Sequence, residues 1–342
     1  GKWARRSGVS CYRVYDADLP DYAVAIDLYQ GAVGTPSEGQ RWLNISEYEP
    51  PAIIDTQKAA DRLATVLSTA PEILAVPTSN VFLKQRKHSK GGEQYAPSPS
   101  RKPSPVNPSS PPSATRMTHA ATATRATRTA TAPPPHLIEE GGHRFEVDFT
   151  RYLDTGIFLD HRMTRQLLQE RAAGVDCLNL FAYTGTASVY MAAGDARSVT
   201  TVDLSKTYLD WAQRNMRLNC LINKQYQFVQ ADAIKWVQEM RHNADKYGLI
   251  FADPPTFSNS ARMGSRTWDV QRDHGELLIA LSRMLTPNGV VVFSCNRRGF
   301  KPDSALLEKA KVRIEDITAR TIPPDFERNR KIHHCYLVTK AT

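Results

Sequence analysis

Cys177-Leu178-Asn179-Leu180-Phe181-Ala182-Tyr183-Thr184-Gly185-Thr186-Ala187 begins the stretch that decides the fold, and Ser198-Val199-Thr200-Thr201-Val202-Asp203 ends it. The first five residues are a short, largely apolar run of strand length. Thr186 to Ala193 reads as a helix, and 198–203 is a second β-rich run. Strand, tight turn, helix and strand make a βαβ unit, in which the strands run parallel with a right-handed crossover. The rhythm continues beyond it. Ser205 caps a helix through Asn219 with Tyr208, Ala212 and Met216 on one face. Phe228-Val229-Gln230 precedes a helix from Ala233 to Arg241, and Leu249-Ile250-Phe251-Ala252 is an apolar strand ending at Asp253. A helix over Glu276 to Leu285 leads into Gly289-Val290-Val291-Val292-Phe293. This alternation specifies an α/β fold, a Rossmann-like doubly wound sheet with ligands at the carboxyl ends of its strands.

Outside this core the composition changes. Residues 96–135 hold 10 of the 22 prolines, no aromatic residue and no acid. Such a Pro/Ser/Thr/Ala-rich stretch buries too little apolar surface to offset its ordering entropy, so it reads as a disordered insert. Its five basic residues suit a solvated linker better than a specific RNA arm. Before it, residues 1–95 read as the first part of a small N-terminal α+β lobe. Strands are expected at Cys11–Tyr15 and Ala23–Asp27, joined by the turn-forming Asp18-Leu19-Pro20-Asp21. A helix over Thr56 to Thr69 and a strand at Val81-Phe82-Leu83 follow. Residues 136–155 are expected to return to that lobe through a strand at Arg144–Val147 and to act as a hinge. Residues 156–342 form the main domain.

The net charge of +9 is uneven: residues 84–135 carry +8 of it, while residues 151–342 carry +7. The second excess, on folded sequence, suits a polyanionic partner. No apolar run approaches the ~20 residues of a membrane helix, so no membrane partner is expected. Five cysteines, none in a Cys-x-x-Cys pair, suit a reduced cytoplasmic protein without structural metal. His333-His334-Cys335 does not change that, since neighbours on a strand point to opposite faces.

The strand ends carry the chemistry. The turn through Phe181, Tyr183, Thr184 and Gly185 has one glycine, where a dinucleotide fingerprint has three; NAD and FAD are therefore disfavoured. Asp203, 24 residues after Asn179, ends the second strand and can accept both hydrogen bonds of a ribose diol. Asp232-Ala233 ends the third and suits either an adenine edge or a helix cap. The fourth ends in Asp253-Pro254-Pro255-Thr256-Phe257. Two prolines fix the carboxylate, and Phe257 can stack on a flat heteroaromatic base.

Together these features resemble a class I S-adenosylmethionine-dependent methyltransferase. The resemblance is closer to one family, the bacterial 23S rRNA methyltransferases K/L, in their C-terminal K half. It is carried by Tyr152-Leu153-Asp154-Thr155-Gly156-Ile157-Phe158-Leu159-Asp160-His161-Arg162, by Asn179 to Gly185 and by Asp253-Pro254-Pro255-Thr256-Phe257-Ser258-Asn259-Ser260. Asp269-Val270-Gln271-Arg272-Asp273-His274, Phe293 to Phe300, Phe326 to His333, Gly1 to Arg6 and Tyr15 to Pro20 continue it. Residues 96–135 depart from the family, which has a shorter connection there.

The resemblance implies methyl transfer from S-adenosylmethionine to N7 of one guanine near the peptidyl-transferase centre. The partner is then 23S rRNA or a large-subunit precursor, and an upstream half methylates guanine N2. It implies that Phe158 and Asp160 line the mouth of the cofactor site and that Arg162 pairs with the methionine carboxylate. Asp203 then takes the ribose, Asp232 and Ala233 flank the adenine, and Asp253 with Phe257 holds the guanine. Arg297, Arg298, Lys301, Arg328, Arg330 and Lys331 are expected to contact phosphates. Two rivals stand beside this reading. A cytosine-C5 enzyme would use Cys295 as a thiolate nucleophile, and a non-catalytic RNA-binding module would use the same fold without chemistry.

Overall fold

The computed structural model describes residues 1–19, 21–48, 55–85, 135–240, 246–258 and 267–341. Apart from Pro135, the expected disordered insert lies outside the described residues, as do Pro20 of the expected turn and Arg241 at the end of the expected helix.

The N-terminal lobe contains helix α1 (Lys2–Arg6), strands β1 (Tyr12–Asp16), β2 (Val24–Gln30) and β3 (Arg41–Glu47), helix α2 (Thr56–Leu74) and strand β4 (Val81–Gln85). They form a four-stranded sheet ordered β1-β2-β3-β4. Val24, Ile26, Leu28, Leu43 and Ile45 pack against Leu63, Val66, Leu67 and Leu74 of α2. Helix α2 is capped by Asp55, which accepts from the amides of Gln57 and Lys58. It runs five residues past the expected end, through Pro71, because its apolar face still has sheet to cover. Strand β3 pairs with both β2 and β4 and was not read from the sequence.

A hairpin follows, β5 (His136–Glu140) and β6 (His143–Val147), turning at Gly141-Gly142. The two strands form a ribbon outside the four-stranded sheet, tied to the lobe by the Gly31–Ile138 bridge. Phe145 and Val147 lie in one core cluster with Tyr29 and Trp42 of the lobe and with Tyr190 and Met216 of the main domain. The amides of Arg144 and Glu146 donate to the side chains of Asn219 and Asn215.

The main domain runs α3 (Arg162–Arg171), β7 (Asp176–Leu180), α4 (Thr186–Ala193), β8 (Ser198–Asp203), α5 (Lys206–Leu218), β9 (Tyr226–Gln230), α6 (Ala233–Met240) and β10 (Tyr247–Ala252). Then come β11 (Phe257–Ser258), β12 (Trp268–Asp269), α7 (Val270–Met284), β13 (Leu285–Cys295), α8 (Ser304–Lys309), β14 (Val312–Asp316), α9 (Thr318–Thr321) and β15 (His334–Lys340). Helix α7 starts six residues before the expected Glu276 because Asp269 caps it, accepting from the amides of Gln271 and Arg272. The seven-stranded sheet is ordered β14-β15-β13-β10-β7-β8-β9. Strands β13, β10, β7, β8 and β9 are mutually parallel, and β15 runs antiparallel between β13 and β14. The chain winds outward from β7 through β8 to β9, then returns to the other side of β7 as β10. That reversal puts the topological switch point between β7 and β10, where a doubly wound sheet opens a crevice at its carboxyl ends. The architecture is the α/β fold with a central, mostly parallel sheet expected of class I methyltransferases. Among the described residues no helix is long and apolar enough to cross a membrane.

Candidate active site

The turn leaving β7 is tightly wound. Phe181, Tyr183 and Gly185 all take positive φ, at 54°, 50° and 69°. Two of them bear side chains that disfavour this region, and such strain is commonly kept where backbone must face a ligand. Asp203, at the end of β8, fixes the turn from the side. Its Oδ2 accepts the Tyr183 amide at 2.8 Å and its Oδ1 the Ser205 amide at 2.8 Å. Burial pushes its carboxyl above the usual carboxylate range, and the amides of Ser205 and Tyr183 oppose that. The aromatic rings of Phe158 and Tyr183 stand 5.3 Å apart over the turn, and Phe158 is exposed.

Other expected cofactor residues hold the turn from beneath. Asn179 and Thr184 have no more than 1% of their surface exposed. Asn179 donates to Ser188 Oγ, and Thr184 Oγ1 donates to the Gly156 carbonyl. Both side chains thus brace the turn, while Asn179 Oδ1 is buried without a partner. Arg162 also departs from expectation. It is 3% exposed and its guanidinium is committed to Asp325 at 2.9 Å and to the Cys11 carbonyl at 2.8 Å. With those partners it ties the main domain to the lobe instead of offering itself to a methionine carboxylate.

At the next strand end, Asp232 caps α6 through Oδ1, which accepts from the amides of Ile234 and Lys235. Its Oδ2 is buried without a partner, a costly state for a carboxylate oxygen unless a donor from outside satisfies it. Ala233 is buried beside it. A cavity of about 140 Å³ between α6 and α7 is lined by Asp232, Val237, Trp268 and Leu277 among others.

Asp253 leaves β10 across the switch point. Pro254 behind it is buried, and Trp268 Nε1 donates to the Pro255 carbonyl at 2.8 Å. Phe257 is 58% exposed, and the Arg297 guanidinium lies over its ring at 5.6 Å. Arg297 is itself half-buried and paired with Asp269 at 3.1 Å, so it belongs to the wall of the site and is not an open phosphate contact. Arg298, Lys301, Arg330 and Lys331 are exposed. Since β15 starts where β13 ends, with His334 beside Cys295, the 297–301 and 330–331 segments share the sheet's carboxyl edge. Arg328 is exposed but pairs with Asp18 of the lobe. Cys295 is fully buried, and burial pushes its thiol up to about 12.

Beneath Asp253 lies a buried cluster that sequence reasoning missed. His161 Nε2 is 2.8 Å from Ser294 Oγ and 3.7 Å from Asp253 Oδ2, while its Nδ1 is 3.1 Å from Asp160 Oδ2. His333 Nδ1 approaches the same Asp160 oxygen at 2.9 Å, and its Nε2 meets Thr321 Oγ1 at 3.0 Å. Burial would push Asp160 up, but the imidazoles of His161 and His333 hold its carboxyl well below the usual range. For His161 burial acts downward, and Asp160 and Asp253 prevail to raise it above the ordinary imidazole value. Asp160 therefore sits inside this cluster and not at the mouth of a pocket. His333 turns to Asp160, away from any joint site with His334 and Cys335. The ligand-type atoms of Asp160, His161 and His333 lie within 4.8 Å of one another. Both facing imidazole nitrogens point at one carboxylate oxygen, which is a proton-sharing arrangement. No spacing rule reveals it, because its members come from separate elements.

Residues 131–327 match the S-adenosylmethionine-dependent methyltransferase family. Among curated proteins, the chain is 46% identical over 338 residues to the ribosomal RNA large subunit methyltransferase K/L of Methylococcus capsulatus, covering 99% of this chain and 40% of that protein. It is 44% identical over 339 residues to the protein of the same name from Vibrio cholerae, covering 99% and 42%. The chain thus spans about two fifths of the length of these relatives. Among solved structures, SMU.776, described as a methyltransferase complexed with SAH, superposes with a TM-score of 0.67 at 20% identity, covering 98% of this chain and 78% of that one. A SAM-dependent methyltransferase from Agrobacterium tumefaciens gives 0.56 at 17% identity, covering 96% and 89%. The strand-end groups suit that cofactor: Asp203 stands by the strained turn, and the unpartnered Asp232 Oδ2 can accept from an exocyclic amine. The chain belongs to the S-adenosylmethionine-dependent methyltransferases, with S-adenosylmethionine as its cofactor.

Proposed function

We propose that this chain methylates N7 of one guanine in 23S rRNA near the peptidyl-transferase centre, as the C-terminal half of a fused protein whose other half methylates guanine N2. The observation that carries this reading is the pairing of a fixed carboxylate, Asp253, with an exposed ring, Phe257, at the switch point. The likeness to proteins named ribosomal RNA large subunit methyltransferase K/L supports the choice of RNA.

When bound, S-adenosylmethionine supplies an electrophilic methyl group on a sulfonium. Guanine N7 presents an in-plane lone pair and loses no proton on attack, so the chain need not supply a general base. Its residues position and polarise. Asp253 accepts from guanine N1–H and N2–H, Pro254 and Pro255 hold that carboxylate in place, and Phe257 stacks on the base. Asp203 accepts the ribose hydroxyls, Asp232 Oδ2 accepts the adenine amine, and Phe158 with Phe181 and Tyr183 screens the site from water. Arg298, Lys301, Arg330 and Lys331 bind phosphates. The cytosine-C5 alternative requires a thiolate, which the burial of Cys295 disfavours.

Mapping modified nucleotides in 23S rRNA after incubation with the chain and S-adenosylmethionine tests the reading. A single N7-methylguanine is expected, with its formation lowered ~10²–10³-fold by Asp253→Ala. A 5-methylcytosine abolished by Cys295→Ser, or no modified base at all, overturns it.

A further inference from the structure

Asp253 does not stand alone at the strand end. A buried imidazole separates it from a second carboxylate, in the order Asp160, His161, Asp253. His161 is 7% exposed and the Asp160 side chain 13%, whereas the Asp253 side chain is 26% exposed. The hydrogen-bond partner of Nε2 is Ser294 Oγ at 2.8 Å, and Asp253 Oδ2, 3.7 Å from the same nitrogen, is a charge neighbour without a hydrogen bond. A charged ring is attracted to a carboxylate on each side, Asp160 at 3.1 Å and Asp253 at 3.7 Å. Asp160 and Asp253 favour its charge and outweigh burial and Arg165 on α3, which oppose it. The His333 ring lies 4.6 Å away and is tied to Asp160 and Thr321. Phe158 and Phe251 supply ring edges without charge.

We propose that His161 is a positioning residue for Asp253: its imidazolium, anchored from behind by Asp160, holds the Asp253 carboxylate turned toward the base. His161 itself is out of reach of substrate. Its effect passes through charge attraction to Oδ2 at 3.7 Å, which leaves both oxygens of Asp253 able to accept from the guanine edge. This rests on the guanine reading above for its consequence, though not for the coupling between the two side chains. Because Asp160 and Asp253 hold the proton on the ring, the charged form persists above the ordinary imidazole range and is lost as pH rises.

Two measurements on the full chain test it. In the first, ring signals of His161 are titrated by NMR without RNA. Asp253→Asn is expected to lower the midpoint of that titration, and Asp160→Asn to lower it further. An unchanged midpoint in Asp253→Asn overturns the proposal. In the second, kcat for 23S rRNA methylation is followed from pH 6 to 8.5. Wild type is expected to lose activity with one proton as pH rises. His161→Gln is expected to be about tenfold slower and flat over that range, with unchanged cofactor affinity by calorimetry. A variant that keeps the wild-type profile overturns the proposal. If wild type transfers no methyl group to 23S rRNA, the guanine reading fails, and the NMR midpoint alone then decides the coupling.

Discussion

Asp232 divides its two oxygens between two tasks. Oδ1 closes the amino end of α6, and Oδ2 is buried with nothing to accept. Asp232→Asn separates the tasks. The cap requires an oxygen at the Oδ1 position, so the amide nitrogen must take the place of Oδ2 and present a donor to the adenine amine. Cofactor affinity by calorimetry is expected to fall about tenfold, the loss of one charge-assisted hydrogen bond, while the melting temperature stays close to wild type. Equal affinity in the two proteins would place the adenine elsewhere. Asp203, Asp232 and Asp253 were legible in the sequence because each stands at or just past the end of a β-rich run, where a βαβ unit must end a strand. His161 and His333 were not: Asp160 and His333 are 173 positions apart, and only the completed sheet brings them to 2.9 Å. Arg162 misled for a related reason. Its neighbours in sequence suggest a ligand, while its partners, Asp325 and the Cys11 carbonyl, are distant in the chain.

The β7–α4 turn is the element on which the proposed cofactor site depends. Gly185 is at φ 69°, and a Cβ there would stand 2.5 Å from the Ala212 Cβ on α5. Gly185→Ala therefore meets both a left-handed backbone and a packed helix. A stability loss of about 1–3 kcal/mol is expected from the backbone alone, measurable by urea unfolding, with weaker cofactor binding as α5 is displaced. An unaffected variant would mean that the turn relaxes without cost. Elements whose ends bear local signals were read well. Strand β8 and the Ser205-capped α5 match the expected boundaries because a cap and an apolar face mark them. The β5–β6 hairpin was legible only in part, because a short strand signal does not say which neighbours its two faces meet, and this one meets both the lobe and the main domain. On the main-domain side the contact is made by Asn215 and Asn219, whose side chains capture the β6 amides.

Across the whole molecule, the lobe and the main domain are held together by charge as well as by apolar packing. Asp325, 2% exposed at its side chain, accepts from Arg162 of α3 and from the Arg13 amide of β1. Asp325→Ala would leave the buried Arg162 guanidinium with Glu140, 3.6 Å away and shared with Arg165, as counter-charge and with its hydrogen bonds to Asp325 lost, at a cost of about 1–3 kcal/mol. Limited proteolysis is expected to cut the variant between lobe and domain sooner than wild type. Equal resistance would show that apolar contact suffices. Strand β15 carries a different consequence. It is the latest strand in the sequence, yet it sits inside the sheet between β13 and β14. During synthesis the β13 edge stays open until residues 334–340 have left the ribosome, and β14 has no sheet to join before then. The residue before β15, His333, completes the cluster beneath Asp253. Until these residues emerge, the β7–α4 turn already has all its own residues while the cluster beneath Asp253 is incomplete, so that carboxylate is the later of the two to gain its support.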